Sequence, residues 1–414
     1  MRTKSLETMA QGPLDGIRVL ELGSTVAGPF CARLLADFGA EVVKIEVPEG
    51  DPVRSFGKRH KGKSLYASSI FRNKKMASIN LRDKRGRELI KTLVAKFDIL
   101  IENFKPGTME RWGLGYEDLN KINPGLIMVR ISGFGQTGPY SHKPGYGVVC
   151  EAVSGMRHLT GDPDRPAARI AVSLTDEITG TYAAYGVALA VLHKRATGKG
   201  QCIDAALYEC AFSYMEPYVP AYEKTGFVPT RQGGRLPNST PNNHYPTKDG
   251  RYIHIAAGNM PTWRRLAKAM GKSDLLEDPR LADQVSLNEN EDEIDKIVGA
   301  WTQMHSIEDL EQILDEAAVP AARIYTMEDV FNDPHYAARE MIVEVPDDDL
   351  GSVKLANIVP RLSATPGQIR KAGGQPGVDT RSVLREFTEL TPDEILALED
   401  DGVVFSGNGS IGKD

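Results

Sequence analysis

An α/β fold on a parallel sheet is what this sequence predicts, from three observations. The strand "IRVLEL" from Ile17, the loop "GSTVAG", the helix "PFCARLLADFG" with Pro29 in its first turn and the strand "EVVKIE" form a compact βαβ unit. The alternation then continues through a helix around "GRELIKTLVAKF", the strand "DILIEN" and the strand "GLIMVRIS", which implies a sheet covered on both faces. A chain of 414 residues, 41% hydrophobic and 26% charged, is long enough to bury the core such a sheet requires and to hold more than one domain.

Beyond these elements, a long helix from Glu177, "EITGTYAAYGVALAVLHKRAT", is small and apolar on most faces and is expected to be buried. The punctuation "TGKGQ" ends it before the strand-like "CIDAALY". The stretch "FVPTRQGGRLPNSTPNNHYP" reads as a linker or exposed loop. After it, the strand "GRYIHIAA" and the helical stretches through "EDLEQILDEAA" suggest a second, smaller domain. "EMIVEVPDDDLGSVKLANIVPRL" alternates like a hairpin, and "TPDEILALEDDGVV" is a short helix.

The net charge of −6 argues against a nucleic-acid-binding protein. No run approaches the length of a membrane span, and the first residues hold no apolar leader core, so the first eleven are expected to fray. Four separated cysteines without a C-x-x-C pair fit a reducing cytoplasm. His158, His193, His244 and His254 have no metal-ligand spacing, so no metal is expected.

Gly133, Gly135 and Gly138 spell G-x-G-x-x-G in "SGFGQTGP". A dinucleotide turn opens a helix whose amides hold pyrophosphate. Here Pro139 and Pro144 break any helix at once, leaving a glycine loop beside a site or an ordinary surface turn. The basic stretch from Arg54 to Arg87, with Arg72, Lys74 and Lys75 at its centre, is either a solvated face or a seat for a polyphosphate ligand. In "SLTDEITG", Asp176 is either a first-turn acid stabilised by the helix dipole or a carboxylate nucleophile. A carboxylate with a reference pKa of about 3.9 needs no general base to be reactive. Cys150 is the rival nucleophile, although an isolated Cys in an apolar stretch usually packs in a core.

These motifs resemble the class III CoA-transferases. The resemblance runs from about Pro13 to Val404 through "PLDGIRVLELGSTVAGPF", "LLADFGAEVVKIE", "RNKK", "ENFKPGTMERWGLGYEDL", "SGFGQTGPY", "SLTDEITG", "TGKGQCIDAAL" and "VPAARIYTMEDVFNDPH". It implies a Rossmann-like large domain over residues 12–200 and 335–414, a linker over 201–227, a small α+β domain over 228–322, a second linker over 323–334, and an interlaced homodimer. It further implies Asp176 as nucleophile, Tyr146, Gly133 and Gly135 in support, and coenzyme A held by Thr25, Val26, Arg72, Lys74, Lys75, Asn103 and Arg111, with Thr25 and Val26 acting through backbone. The CoA thioester is then a substrate, its partner a free carboxylate, and no cofactor is permanently bound.

Two departures stand out from the family's pattern. Asp379 in "GVDT" replaces a family His, and Val26 replaces the Gln of formyl-CoA transferase, which argues against formyl and oxalate substrates. Arg157, Arg169, His142 and Lys143 favour a dicarboxylate such as succinate. The loop around Gly233 and Gly234 stands where the family has a glycine flap. Two alternatives remain: a racemase of α-methylacyl-CoA type, with His158 as the base, and a nucleotide-binding protein without chemistry. The racemase lacks its family histidine, because this chain reads "GYGVVC" there, and Tyr146 with a reference pKa of about 10 is a poor base.

Overall fold

The computed structural model describes residues 12–407, so the eleven residues expected to fray lie outside it. The chain forms two compact units. One comprises the chain through Met156, Ile170–Val219 and the chain from Ala338 onward, and the other comprises Arg157–Arg169 and Pro220–Ala337.

The first unit is built on seven strands: β1 Arg18–Glu21, β2 Glu41–Glu46, β3 Lys74–Ile79, β4 Ile99–Glu102, β5 Ile127–Ser132, β6 Cys202–Ala206 and β7 Val404–Phe405. Their spatial order is β7-β3-β2-β1-β4-β5-β6. The first six run parallel, and β7 is antiparallel to β3. The order reverses at β1, where Val19 pairs with Val42 on one side and Ile99 on the other. Loops leaving the carboxyl ends of strands at such a reversal diverge to opposite faces and open a crevice, the usual ligand seat of doubly wound sheets.

Side-chain alternation along each strand feeds two cores. Val19, Ile101 and Val129 face α1 (Ala27–Asp37) and α3 (Leu174–Thr197), meeting Cys31, Leu35, Ala183 and Val187. Leu20, Leu100 and Met128 face the opposite side, meeting Leu89, Ile90 and Leu93 of helix Lys84–Val94 and Val383 and Leu384 of helix Thr380–Phe387. The short helix α2, Gly147–Val153, lies between β5 and α3 in sequence. In the second unit, strands Asn242–Pro246, Tyr252–Ala256 and Ala321–Arg323 form an antiparallel sheet, and Trp263 and Leu310 from its helices fill the core beside Ile253.

Four expectations are corrected. Residues 201–227 are not simply a linker, because β6 lies there and pairs with β5 from Met128↔Cys202 to Ser132↔Ala206. Residues 157–169 group with the second unit. The long helix is not buried all round, since Tyr185 and Leu192 are each 61% exposed. The basic segment around "RNKK" is the inner strand β3, which explains why its positive charge is internal.

Candidate active site

Three loops leaving the carboxyl ends of β1, β4 and β5 meet at the reversal. Ser24–Ala27, residues 103–106 and Ser132–Gly133 line a cleft of about 280 Å³ together with residues 143–146, Leu207 and Asp176. Asn103 ties two of the loops together: Ser24 N–H donates to Asn103 Oδ1 at 2.8 Å, and Asn103 Nδ2 donates back to Ser24 O at 2.8 Å. Thr25 holds a left-handed φ of 67°, uncommon for a β-branched residue. Its N–H donates to both oxygens of Asp51, at 3.0 and 3.2 Å, which fixes that conformation.

Below this loop lies a buried cluster of charges. Lys44 Nζ contacts Asp51 at 2.9 Å and Glu21 at 3.1 Å, and donates to Gly23 O at 2.6 Å. Lys74 Nζ donates to the other Glu21 oxygen at 2.7 Å and to Pro29 O at 2.8 Å. Buried ions are tolerated only when paired and hydrogen-bonded in this way. Burial works against the charge on Asp51, but Lys44 and the Val53 and Thr25 amides outweigh it and hold the carboxyl below its usual range. Burial lowers Lys74 to about 8, against the pull of Glu21.

Asp176 stands in the first turn of α3, whose N-cap Ser173 makes no side-chain capping bond. Its carboxylate lies on the backbone of α2: a Cβ on Gly147 would sit 2.0 Å from Asp176 Oδ2. Just before α2, the chain presses against the glycine loop, where a Cβ on Gly133 would come within 2.6 Å of Gly145 Cα. Only glycines permit these two approaches. Tyr146, the 70% exposed N-cap of α2, separates them and lines the cleft. Gly135 takes a φ of 85°, and the loop after it is held where Gln136 N–H donates to Asp204 Oδ2 at 2.9 Å.

The neighbours of Asp176 register its charge. Cys150 Sγ donates to Gly133 O at 3.3 Å, and burial, then Asp176, push its thiol up to about 11. Burial, then Glu177 and Asp176, push Tyr66 up to about 12. A thiol held protonated at neutral pH makes a poor nucleophile, so Cys150 acts as packing.

The structure therefore brings together Thr25, Val26, Asn103, Gly133, Tyr146 and Asp176, all lining one cleft. It sets apart Arg72, 1% exposed and bound to Asp37 at 2.6 and 2.9 Å, and Lys74, fully buried on Glu21. Lys75 bonds Glu41 and Glu386 at 2.6 and 2.7 Å. The "RNKK" cations thus hold the fold together and do not form an exposed phosphate seat, which removes the basis of the non-catalytic nucleotide-binding alternative. Arg111 is exposed and donates to Thr108 Oγ1 at 2.9 Å on the helix after the 103–106 loop. Asp379 has an architectural partner: its Oδ2 accepts the Met76 N–H at 2.7 Å. Arg157, Arg169 and His158 belong to the second unit, as do Gly233 and Gly234, where Gly233 N–H donates to Gly161 O at 3.1 Å.

Sequence reasoning passed over Lys105 and Ser132, which line the cleft, and Lys44 and Asp51 beneath it. One signal was present. A lysine inside "EVVKIE", a strand of a sheet covered on both faces, requires a buried anion.

A family model described as CoA-transferase family III matches residues 14–380. The succinyl-CoA–D-citramalate CoA-transferase of Chloroflexus aurantiacus is 46% identical over 389 residues, covering 94% of this chain and 97% of that protein. The succinyl-CoA–L-malate CoA-transferase beta subunit of the same organism is 39% identical over 397 residues, covering 95% and 98%. Among solved structures, a CAIB/BAIF family protein from Brucella suis superposes with a TM-score of 0.82 at 34% identity, covering 91% of this chain and 100% of that one.

Proposed function

This chain belongs to CoA-transferase family III, and we propose that it moves coenzyme A between succinyl-CoA and a second dicarboxylic acid, with Asp176 as the covalent nucleophile. The observation that carries this reading is the position of the Asp176 carboxylate, in the cleft at the strand-order reversal and against the Cα of Gly147.

An Asp176 oxygen adds to the thioester carbonyl, the C–S bond breaks, and the thiolate leaves an aspartyl–acyl anhydride. The thiolate adds to the aspartyl carbonyl and expels the donor acid as its carboxylate, leaving an aspartyl-CoA thioester. The acceptor carboxylate repeats the first step from the other side, and the thiolate then takes the new acyl group and frees Asp176. The thiolate is the stronger base by about 4–5 pKa units, so each anhydride is uphill. Holding thiolate and anhydride together offsets this, since effective molarities reach about 10⁵ M or more.

Dicarboxylate specificity is supported by the names of the two relatives and by two cations, Lys105 and Lys143, that line the cleft with Asp176. For coenzyme A, the proposed contacts are the Thr25 and Val26 backbone and the exposed Arg111, whose guanidinium suits phosphate. The same reading includes a homodimer. Tyr182, Tyr185, Leu189 and Leu192, spaced along one stripe of α3, are 42–61% exposed, an apolar face that a second copy would cover.

The test is mass spectrometry after incubation with succinyl-CoA and quenching with hydroxylamine or borohydride. A modified peptide containing Asp176, cleared by adding an acceptor acid, is expected. An unmodified Asp176 during active exchange would overturn the reading.

A further inference from the structure

Ser132 closes β5 and lines the cleft, yet it is only 7% exposed, and its hydroxyl has no hydrogen-bond partner among the described residues. Of the buried side-chain polar atoms left so among those residues, it alone belongs to a residue lining the cleft. A buried hydroxyl without a protein partner costs free energy, and such groups call for an explanation. Strand alternation adds a second observation. Ile131 turns into the core under α1 and α3, so Ser132 turns to the other face, at the mouth of the crevice.

Its neighbours lead toward the nucleophile. Gly133, the next residue, is in backbone contact with Gly145, and two residues later Gly147 carries the Asp176 carboxylate. Cys150 ties Gly133 O to α2 from the other side. Ser132 and Asp176 therefore line the same cleft.

We propose that the Ser132 hydroxyl donates a hydrogen bond to the thioester carbonyl oxygen of the bound acyl-CoA. The assignment rests on Asp176 being the nucleophile. As that carboxylate adds, the carbonyl oxygen gains negative charge, and a donor held in a site away from water stabilises it more than it stabilises the substrate. The substrate carbonyl is then the partner of this hydroxyl.

Ser132→Ala separates this role from a structural one. Removing an orphaned hydroxyl should leave the thermal midpoint equal or higher, while kcat for transfer from succinyl-CoA falls by about tenfold or more. Ser132→Thr, which keeps the hydroxyl, should recover most of that loss. Affinity for free CoA, which has no acyl carbonyl, should stay within about twofold by calorimetry, against the tenfold that one lost charge-assisted bond brings. A lowered midpoint with kcat retained would show a structural hydroxyl, and a matching loss of CoA affinity would place the hydroxyl on the pantetheine arm; either overturns the proposal. Asp176→Ala is run in parallel. If it exchanges CoA at the wild-type rate, the nucleophile reading fails and the Ser132 assignment falls with it. An inactive Asp176→Ala beside a fully active Ser132→Ala defeats the Ser132 assignment alone.

Discussion

The Asp176 carboxylate and the Cα of Gly147 are in direct contact: a methyl group on that glycine would lie 2.0 Å from Oδ2. The position of this carboxylate is thus set by an absent side chain on another helix. Gly147→Ala should displace the carboxylate while leaving the fold intact, because alanine is a better helix former at that site. A misplacement of about 1 Å can cost roughly 10²-fold in rate, so kcat should drop by that order with little change in thermal midpoint. An unchanged kcat would show that Asp176 tolerates displacement.

Asn103 and Ser24 exchange two hydrogen bonds across the crevice. Asn103→Ala removes both and should cost about 1–3 kcal/mol through the unsatisfied backbone groups. Because the loop that it holds carries Thr25, the KM for acyl-CoA should rise more than kcat falls. Steady-state kinetics with urea unfolding of the same variant checks both.

Lys74 and Lys75 are adjacent in sequence but differ in environment. Lys74→Met leaves one oxygen of the buried Glu21 without its cation, Lys44 keeping the other, and should cost about 3–5 kcal/mol. Lys75→Met removes two partly exposed pairs, to Glu41 and Glu386, and should cost about 0–1 kcal/mol for each. Equal effects in chemical denaturation would contradict the buried-cluster assignment.

Cys150 supplies a pH test. Its folded thiol, pushed up to about 11, holds its proton beyond the ordinary value of 9.0. The folded state therefore binds more protons between the two values, so this contribution to stability is full below pH 9 and is lost as pH rises through 11. Iodoacetamide at pH 8 should leave Cys150 unmodified in the folded protein, and Cys150→Ala should retain transfer. Rapid alkylation with loss of activity would restore Cys150 as a nucleophile.

On α3, Leu189→Glu combined with Leu192→Glu places charge on the exposed apolar stripe without touching the core. Light scattering should show the mass of the proposed homodimer halved. An unchanged mass would assign that face another role.

The βαβ opening and the strands β4 and β5 were legible because propensity and turn chemistry are local, and they agree with the global fold here. The strand β3 was not. Its lysines look like surface charge until Glu21, 53 residues away in sequence, is placed beside Lys74. Arg72 was misread for the same reason, since its partner Asp37 comes from the end of α1.

By itself, the sequence determined that this is an α/β chain of the CoA-transferase kind with Asp176 at the start of a long helix, because periodicity, capping and motif order are written in neighbouring residues. The tertiary structure alone decided which charges are structural, which face the cleft, and that the Asp176 carboxylate rests on Gly147 in a cleft that Ser132 also lines. Those relationships join segments far apart in the chain, and burial, which fixes whether a cation is a ligand contact or half of a core ion pair, is a property of the packed protein and not of any residue in it.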